Sequence, residues 1–377
     1  MDCAFGGDHS QESEEIALKK MLFVARRYPP SVGGIETFCY NLYSGISQKR
    51  EVDLIALRKS SIVHLLWFMP LTFVRVFVML LQKKYDVVYL SDGVTASMAI
   101  IFRPLFKNVT FISTIYGLEM TIKNPFARTL INAGVNSCHH VTTISENTLD
   151  IMKKYISPSK VSIVYVGIEP PQIEESVIVT LRAEFESQYS LDFSKENVLL
   201  NFGRMVPRKG VARFLKEGFT LLDPSVRLIL GGSGPDYSAI EATIAELNLN
   251  NRVILLNRPS DEIVAMLRAS ADLFIMPNVH YPNDVEGYGM AQLESMYSGM
   301  PVVAFAVDAL VESVRSGGYL IEPDNYQAYS ATINDYFKLS EEAQQEKRTE
   351  AQEYVQKEYS WEKTCSDYIA LIDRDYK

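Results

Sequence analysis

Apolar residues in this chain fall into short runs, and between the runs the pattern switches to helical spacing. Runs rich in β-branched residues occupy 21–27, 51–57, 86–90, 109–115, 140–144 and 161–166, then 197–202, 226–232, 252–257, 272–277 and 301–305. Such alternation predicts an α/β fold with parallel strands, because each parallel connection needs a crossover helix to return across the sheet. A helix beginning near Ile35 follows the first run. Paired prolines at 170–171 and weak periodicity over 171–192 mark a connection between the two groups. The pattern therefore predicts two Rossmann-like domains, 21–170 and 193–355, with a closing helix over 356–377. Ligands of such sheets bind outside the carboxyl ends of the strands, which points to the cleft between the domains.

One run departs from the alternation. Residues 62–81, IVHLLWFMPLTFVRVFVMLL, reach the ~20 apolar residues of a membrane span. Pro70 interrupts them, however, and His64 and Arg75 lie inside. Core packing or seating on a membrane surface fits these features better than spanning. Flanking Arg58, Lys59, Lys83 and Lys84 would suit a monotopic contact with anionic lipid.

Length and composition agree with two domains, since 377 residues exceed what one core usually holds. A net charge of −9 argues against nucleic acid as a partner. That charge is unevenly spread. Residues 49–128 carry eleven Lys/Arg against five Asp/Glu, so the rest of the chain is strongly acidic. A basic first half suits a phospholipid surface or a phosphate-bearing acceptor, and equally a merely solvated basic surface. Four cysteines without metal-like or disulfide-like spacing suit a reducing, cytoplasmic setting. Residues 1–20 are polar without an apolar h-region and read as a disordered leader, not a secretory signal.

Candidate chemistry concentrates in the second half, where glycines stand at strand-to-helix junctions. NFGRMVPRKG presents Gly203, Arg204, Arg208 and Lys209 near a strand end, where two cations could clamp a diphosphate; a solvated basic loop fits as well. GGSGPDY supplies a second turn at Gly234, allowing close approach to backbone. DVEGYGMAQLESMYSGMPV carries Glu286, Gly287, Tyr288 and Gly289, then a helix stopped by Gly299 and Pro301. The N–H groups at Gly289 and Met290 would seat phosphate. Glu286, just before that seat, suits sugar hydroxyls, and Glu294, inside the helix, suits ribose hydroxyls.

EGYGMAQLESMYSGMPVVA closely resembles the E-G-F-G…E-A…G-x-P-V-V-A motif of the family-4 retaining glycosyltransferases of the GT-B fold. GRMVPRKG is similar to their donor loop, GGSGP to their next glycine turn, and YPPSVGGIETFCYNL to their amino-terminal glycine loop. YSWEKTCSDYIALI resembles the closing helix that crosses back to the first domain. The resemblance runs in order from Met21 to the end. It implies Glu286 on the donor sugar, Glu294 on ribose, and Arg204 and Lys209 on the diphosphate, assisted by backbone at Gly289 and Met290. It also implies that Gly33 and Gly34 admit phosphate or acceptor, and that the base lies near Asn257–Arg258. No cofactor is implied, because the donor is itself a nucleotide-diphosphate sugar, and no metal, because the Asp-x-Asp of the metal-dependent fold occurs here only as Asp373-Arg374-Asp375 in the terminal tail. The implied acceptor is a saccharide or a lipid-diphosphate-linked sugar, and the hexose is of mannose or glucose type, as in polysaccharide assembly.

One departure stands out. Where much of the family carries His-Gly or His-Asp, this chain has TIYGLEM, so Tyr116 takes the histidine's place. Tyr116 is expected to donate one hydrogen bond to substrate but cannot become cationic. The departure leaves open an inactive, nucleotide-sugar-binding scaffold. Glu119 is a candidate acceptor contact, whereas His139 and His140 read as structural. A dinucleotide oxidoreductase lacks its G-x-G-x-x-G after the first strand. A pyridoxal-phosphate phosphorylase lacks a lysine site.

Overall fold

The computed structural model describes residues 19–31, 33–58, 62–281 and 288–374; residues 1–18 of the expected leader, and the predicted site residues Glu286 and Gly287, lie outside them. Among the described residues, twelve strands form two parallel six-stranded sheets. The first holds β1 (Met21–Ala25), β2 (Val52–Ala56), β3 (Val87–Leu90), β4 (Thr110–Ile115), β5 (His140–Thr143) and β6 (Val161–Ile163), in the order β2-β1-β3-β4-β5-β6. The second holds β7 (Val198–Arg204), β8 (Arg227–Ser233), β9 (Val253–Asn257), β10 (Leu273–Met276), β11 (Val302–Phe305) and β12 (Gly318–Ile321), in the order β12-β11-β10-β7-β8-β9.

Strand order fixes which face each helix covers. From β2 onward the first sheet advances in one direction, through helices Ile62–Leu81, Ala99–Leu105 and Pro125–Ser137. Right-handed crossovers place all three on one face. Their inner residues Val76, Leu80, Phe102, Ile131 and Val135 bury against Leu22, Val24, Val88 and Phe111. The step from β1 to β2 runs the other way, so helix Gly34–Ser47 covers the opposite face. Helix Trp361–Asp373 packs beside it, with Cys365, Tyr368, Leu371 and Ile372 joining Met21, Phe23 and Phe38. Tyr368 anchors this returning segment: its hydroxyl lies 2.6 Å from Thr114 Oγ1 and 2.8 Å from Thr142 Oγ1. Arg50 binds Asp373 through two nitrogens, at 3.0 and 2.9 Å.

Eleven of the strands coincide with the apolar runs, and β12 does not, being four half-buried residues at a sheet edge. Residues 171–192 also differ from a plain connection. They contain helix Glu175–Tyr189, whose Phe185 is buried in the second domain's core. Segment 62–81 is a helix with Phe68, Thr72, Val76 and Leu80 turned inward. No helix among the described residues is long and apolar enough to cross a membrane. Cys39, Cys138 and Cys365 are buried free thiols.

The two sheets meet at their carboxyl edges. Tyr288, just ahead of helix Met290–Tyr297, donates its hydroxyl to the Val166 carbonyl at 2.9 Å and accepts the Val166 N–H at 2.8 Å. Glu312, in the short helix Leu310–Val314 after β11, accepts the Glu146 N–H on both carboxylate oxygens, at 2.9 and 2.8 Å. Glu146 opens the helix after β5, so a carboxylate from one domain occupies a helix N-terminus of the other, where the dipole favours negative charge. Arg315 completes the joint on the Glu146 side chain at 2.6 Å.

Candidate functional site

In the second domain the glycines form a floor. β7 and β8 pair Gly203 with Gly232 and Arg204 with Ser233, while β9 sets Asn257 beside Gly232. A Cβ on Gly232, whose φ is +150°, would lie 1.9 Å from the Gly203 carbonyl oxygen. On Gly234, at φ +154°, it would lie 2.1 Å from the Met205 carbonyl oxygen. The strand ends thus approach one another as only glycine allows. Above them is a depression of about 320 Å³ lined by Gly203, Arg204, Gly232, Ser233, Arg258 and Pro259. Its glycine backbone, the neighbouring Phe202 and Val264, and two guanidinium groups suit a flat ring joined to an anion. Arg258, in a left-handed backbone conformation, donates Nε–H to Ser233 Oγ at 3.3 Å.

The basic loop reaches this floor from one side. Arg204 is exposed at the end of β7, and Arg208 and Lys209 are half-buried in a 3-10 turn. Gly210 then turns left-handed at φ +65°, closing against the Pro277 carbonyl, while Val279 N–H donates to Arg208 O at 2.9 Å. The donor-type loop is therefore tied to the end of β10, the strand that feeds the stretch carrying Glu286.

Glu294 sits where helix Met290–Tyr297 places it, and its carboxylate receives Arg268 Nη1–H at 2.6 Å. Arg268 is almost fully buried, with its guanidinium over the Phe202 ring. Burial raises the Glu294 carboxyl above the usual range, opposed by Arg268. Sequence reasoning missed Arg268, since nothing in DEIVAMLRAS separates it from a solvated helix arginine. Gly289 begins the helix at φ +75° with the Gln292 amide packed beneath it, and Met290 is exposed. Gln292 is itself held by Ser313 Oγ at 2.9 Å. Tyr288 was expected at the ligand, but its hydroxyl is committed to both backbone groups of Val166.

Across the cleft, Gly33 and Gly34 open helix Gly34–Ser47. A Cβ on Gly33 would lie 2.4 Å from Glu36 Oε2, whereas Gly34 faces open space. The expectation for Tyr116 is corrected. Its ring packs edge-on against Phe38, and its hydroxyl is buried against the Cys39 thiol, so it cannot offer a proton to substrate. Glu119 is the carboxylate of that loop nearest the strand ends. Its Oε2 accepts the Tyr116 N–H at 3.0 Å. Beside it, Asp92 caps the helix Gly93–Ala96 and pairs with Arg26 Nε at 2.7 Å. Burial, then the Asp92 charge, push the Glu119 carboxyl up to about 7, with Arg26 opposing. His139 and His140 are driven down to about 4 by burial. They remain neutral near pH 7, with His139 Nδ1 accepting the Phe111 N–H and His140 Nε2 2.9 Å from Ser162 Oγ.

The structure thus brings together Gly203, Arg204, Gly232, Gly234 and Arg258, and attaches the Lys209 loop to the same edge. It turns the Tyr116 hydroxyl inward, where it is buried.

Comparisons with known proteins fit this arrangement. The family described as Glycosyl transferases group 1 matches residues 183–358, and Glycosyltransferase Family 4 matches residues 32–171. The O-antigen chain mannosyltransferase of Salmonella typhimurium is 25% identical, over 63% of this chain and 63% of that protein. The GDP-mannose:cellobiosyl-diphosphopolyprenol alpha-mannosyltransferase of Xanthomonas campestris is 25% identical, over 69% of this chain and 64% of that protein. The chain therefore matches a little under two thirds of each relative's own length. The crystal structure of Anabaena HepE in complex with UDP superposes with a TM-score of 0.69 at 17% identity, covering 94% of this chain and 99% of that one.

Two outcomes follow from this geometry. Gly232→Ala should lower folding stability by at least about 2 kcal/mol in denaturant titration, since both its φ and the Gly203 carbonyl resist a Cβ. Glu119 holds its proton more tightly folded than unfolded, so its contribution to stability falls as pH rises from about 4.5 to 7. Glu119→Gln abolishes that loss. Unfolding at pH 5 and pH 8 should show the variant gaining on wild type by a few kcal/mol, on the order of 3; an unchanged difference would contradict the assignment.

Proposed function

The chain belongs to the family-4 glycosyltransferases of the GT-B fold, and from that premise we propose that it moves a hexose from a nucleotide-diphosphate sugar to a saccharide or lipid-diphosphate-linked acceptor, with retention at the anomeric carbon. The observation that carries the donor reading is the glycine floor between Arg204 and Arg258, with the Lys209 loop joined to the same edge. The base and ribose occupy the floor, with Glu294, oriented by Arg268, on ribose hydroxyls. Arg204 and Lys209 neutralise the diphosphate, assisted by backbone N–H groups at Gly289 and Met290. Glu286 reads the sugar hydroxyls, an assignment that rests on its motif.

Retention without an enzyme base follows if the departing diphosphate oxygen takes the proton of the attacking hydroxyl on the same face of the sugar. The C–O bond to the acceptor forms as the bond to the diphosphate breaks. The protein then supplies position and stabilises charge on the leaving oxygen. The two mannosyltransferase relatives support a mannose-type hexose, and the diphosphopolyprenol acceptor in one relative's name supports a lipid-borne acceptor.

A second reading, a protein that binds nucleotide sugar without transferring it, is favoured by Tyr116, because the family's usual imidazole is replaced by a phenol whose hydroxyl is buried. Product formation separates the two. Lys209→Ala and Glu286→Gln should each keep the native melting profile and lose about 10²-fold in kcat, the effect of removing roughly 3 kcal/mol of charge stabilisation. Full turnover in both variants would refute the assigned roles. A thermal-shift series with GDP-, UDP- and ADP-sugars identifies the donor. Transfer should persist in EDTA, and its abolition would count against a leaving group neutralised by Arg204 and Lys209 alone.

A further inference from the structure

We propose that the outer face of helices Ile62–Leu81, Ala99–Leu105 and Pro125–Ser137 seats this protein on the anionic surface of a lipid bilayer. The inference deepens the lipid-borne acceptor reading above, yet it stands on its own observations.

The longest of the three helices is apolar all round, a pattern expected of a helix covered on every side. Here only one side is covered. Phe68, Thr72, Val76 and Leu80 face the core, while Trp67, Leu71, Val74, Val78 and Leu81 recur every three or four residues on the open side. Each of these five is about half exposed, from 49% to 58%. The neighbouring helices continue the surface with Ile101 and Leu105, then with Leu130 and Phe126, the last 78% exposed. All three helices belong to one layer by the crossover rule, and Phe73 and Phe77 pack on Phe102 between the first two. The apolar side chains therefore form one face rather than scattered exposures, and such a face marks an interaction site.

Charge selects the occupant. The three helices contain no aspartate or glutamate, and each carries one arginine: Arg75, Arg103 and Arg128. Lys83 and Lys84 follow the end of the first helix, Lys107 the second, and Lys123 precedes the third. An apolar stripe with Trp and Phe, edged by cations and free of anions, has the composition of a surface that lies in the headgroup region. Beside Trp67, a groove of about 360 Å³ runs between the helix and edge strand β2, with Leu57 and Leu71 in its walls and Arg58 and Arg75 at its margin. Its apolar walls and paired guanidinium groups suit acyl chain and phosphate together.

Orientation follows from the fold. Crossover helices run antiparallel to their strands, so their N-terminal ends stand at the carboxyl edge that borders the cleft. Trp67 and Phe126 lie near those ends, and Leu81 and Leu105 at the far ends. A bilayer on this face would meet the cleft at its rim, within reach of an acceptor whose lipid stays in the membrane.

The test is flotation of the full chain with phosphatidylcholine vesicles, with and without phosphatidylglycerol, at low and high salt. Wild type should float with the anionic vesicles, less at high salt, and remain below with neutral ones. The double variant Trp67→Glu/Val78→Glu should lose at least about tenfold in partitioning, as should Lys83→Glu/Lys84→Glu. Val179→Glu, at an exposed apolar position of the second domain, should float like wild type. All these positions are exposed, and unchanged thermal melts establish that the variants fold. Equal flotation of wild type with neutral vesicles, no flotation, or unaltered flotation of both double variants would overturn the proposal. So would sedimentation showing self-association that Trp67→Glu/Val78→Glu abolishes, which would assign the face to a second copy. Thermal shifts with nucleotide sugar, run without vesicles on the same samples, show separately whether the donor reading stands.

Discussion

The cleft depends on one tyrosine. Tyr288 directs its hydroxyl to both backbone groups of Val166, so a residue of the second domain takes the place of a sheet partner for the chain leaving β6. A side chain satisfying an N–H and a carbonyl of one residue fixes position and rotation together, unlike a single contact. Glu312 adds a charge-assisted contact at the helix after β5. Both contacts come from segments that follow the carboxyl ends of β10 and β11. The edges that carry the glycine floor and the Glu119 cluster therefore stand opposite each other by construction. The helix returning through Tyr368 completes the joint by burying its apolar side under the first sheet.

Much of this was legible beforehand, for a physical reason. Strands buried on both faces must be runs of apolar residues, so the inner strands announce themselves, and the part-buried edge strands β2, β6 and β9 still carry β-branched or leucine runs. The edge strand β12 does not, because Gly-Tyr-Leu-Ile is short, half-buried and free of β-branched residues until its last position. Glycine was the other readable signal, since Gly232 and Gly234 stand where backbones converge with no room for a Cβ, and Gly203 takes a φ of +140° that side chains rarely adopt. What could not be read was pairing across long separations. Arg268 reaches Glu294, and Arg26 reaches Asp92, only after helices and strands have packed. Tyr116 shows the converse error: its place in the sequence said nothing of the direction of its ring, which is set by Phe38 and Cys39, far off in sequence.

The two domains present different groups at their strand ends. The second presents glycine backbone flanked by Arg204 and Arg258. The first presents ionisable acids. β1, β3 and β4 are adjacent in the sheet, and each hands over to a buried carboxylate: Glu36, Asp92 and Glu119.

Three buried acids on neighbouring strand ends are costly, since each must lose hydration and two of them repel. Asp92 recovers the loss through Arg26 and the helix it caps. Glu119 and Glu36 recover less. Oε1 of Glu119 and Oε2 of Glu36 have no hydrogen-bond partner among the described residues. Stability alone would replace such groups with amides or apolar side chains, as buried charges are often exchanged without loss. Their presence at the cleft edge is better explained by what they can accept. On the function proposed above, hydroxyl groups of a saccharide acceptor would supply the donors that these carboxylate oxygens lack. On the function proposed above, the buried acids of the first domain and the close-packed glycines of the second would be complementary: the acids would take donors from one substrate, and the glycine turns would seat the flat group of the other.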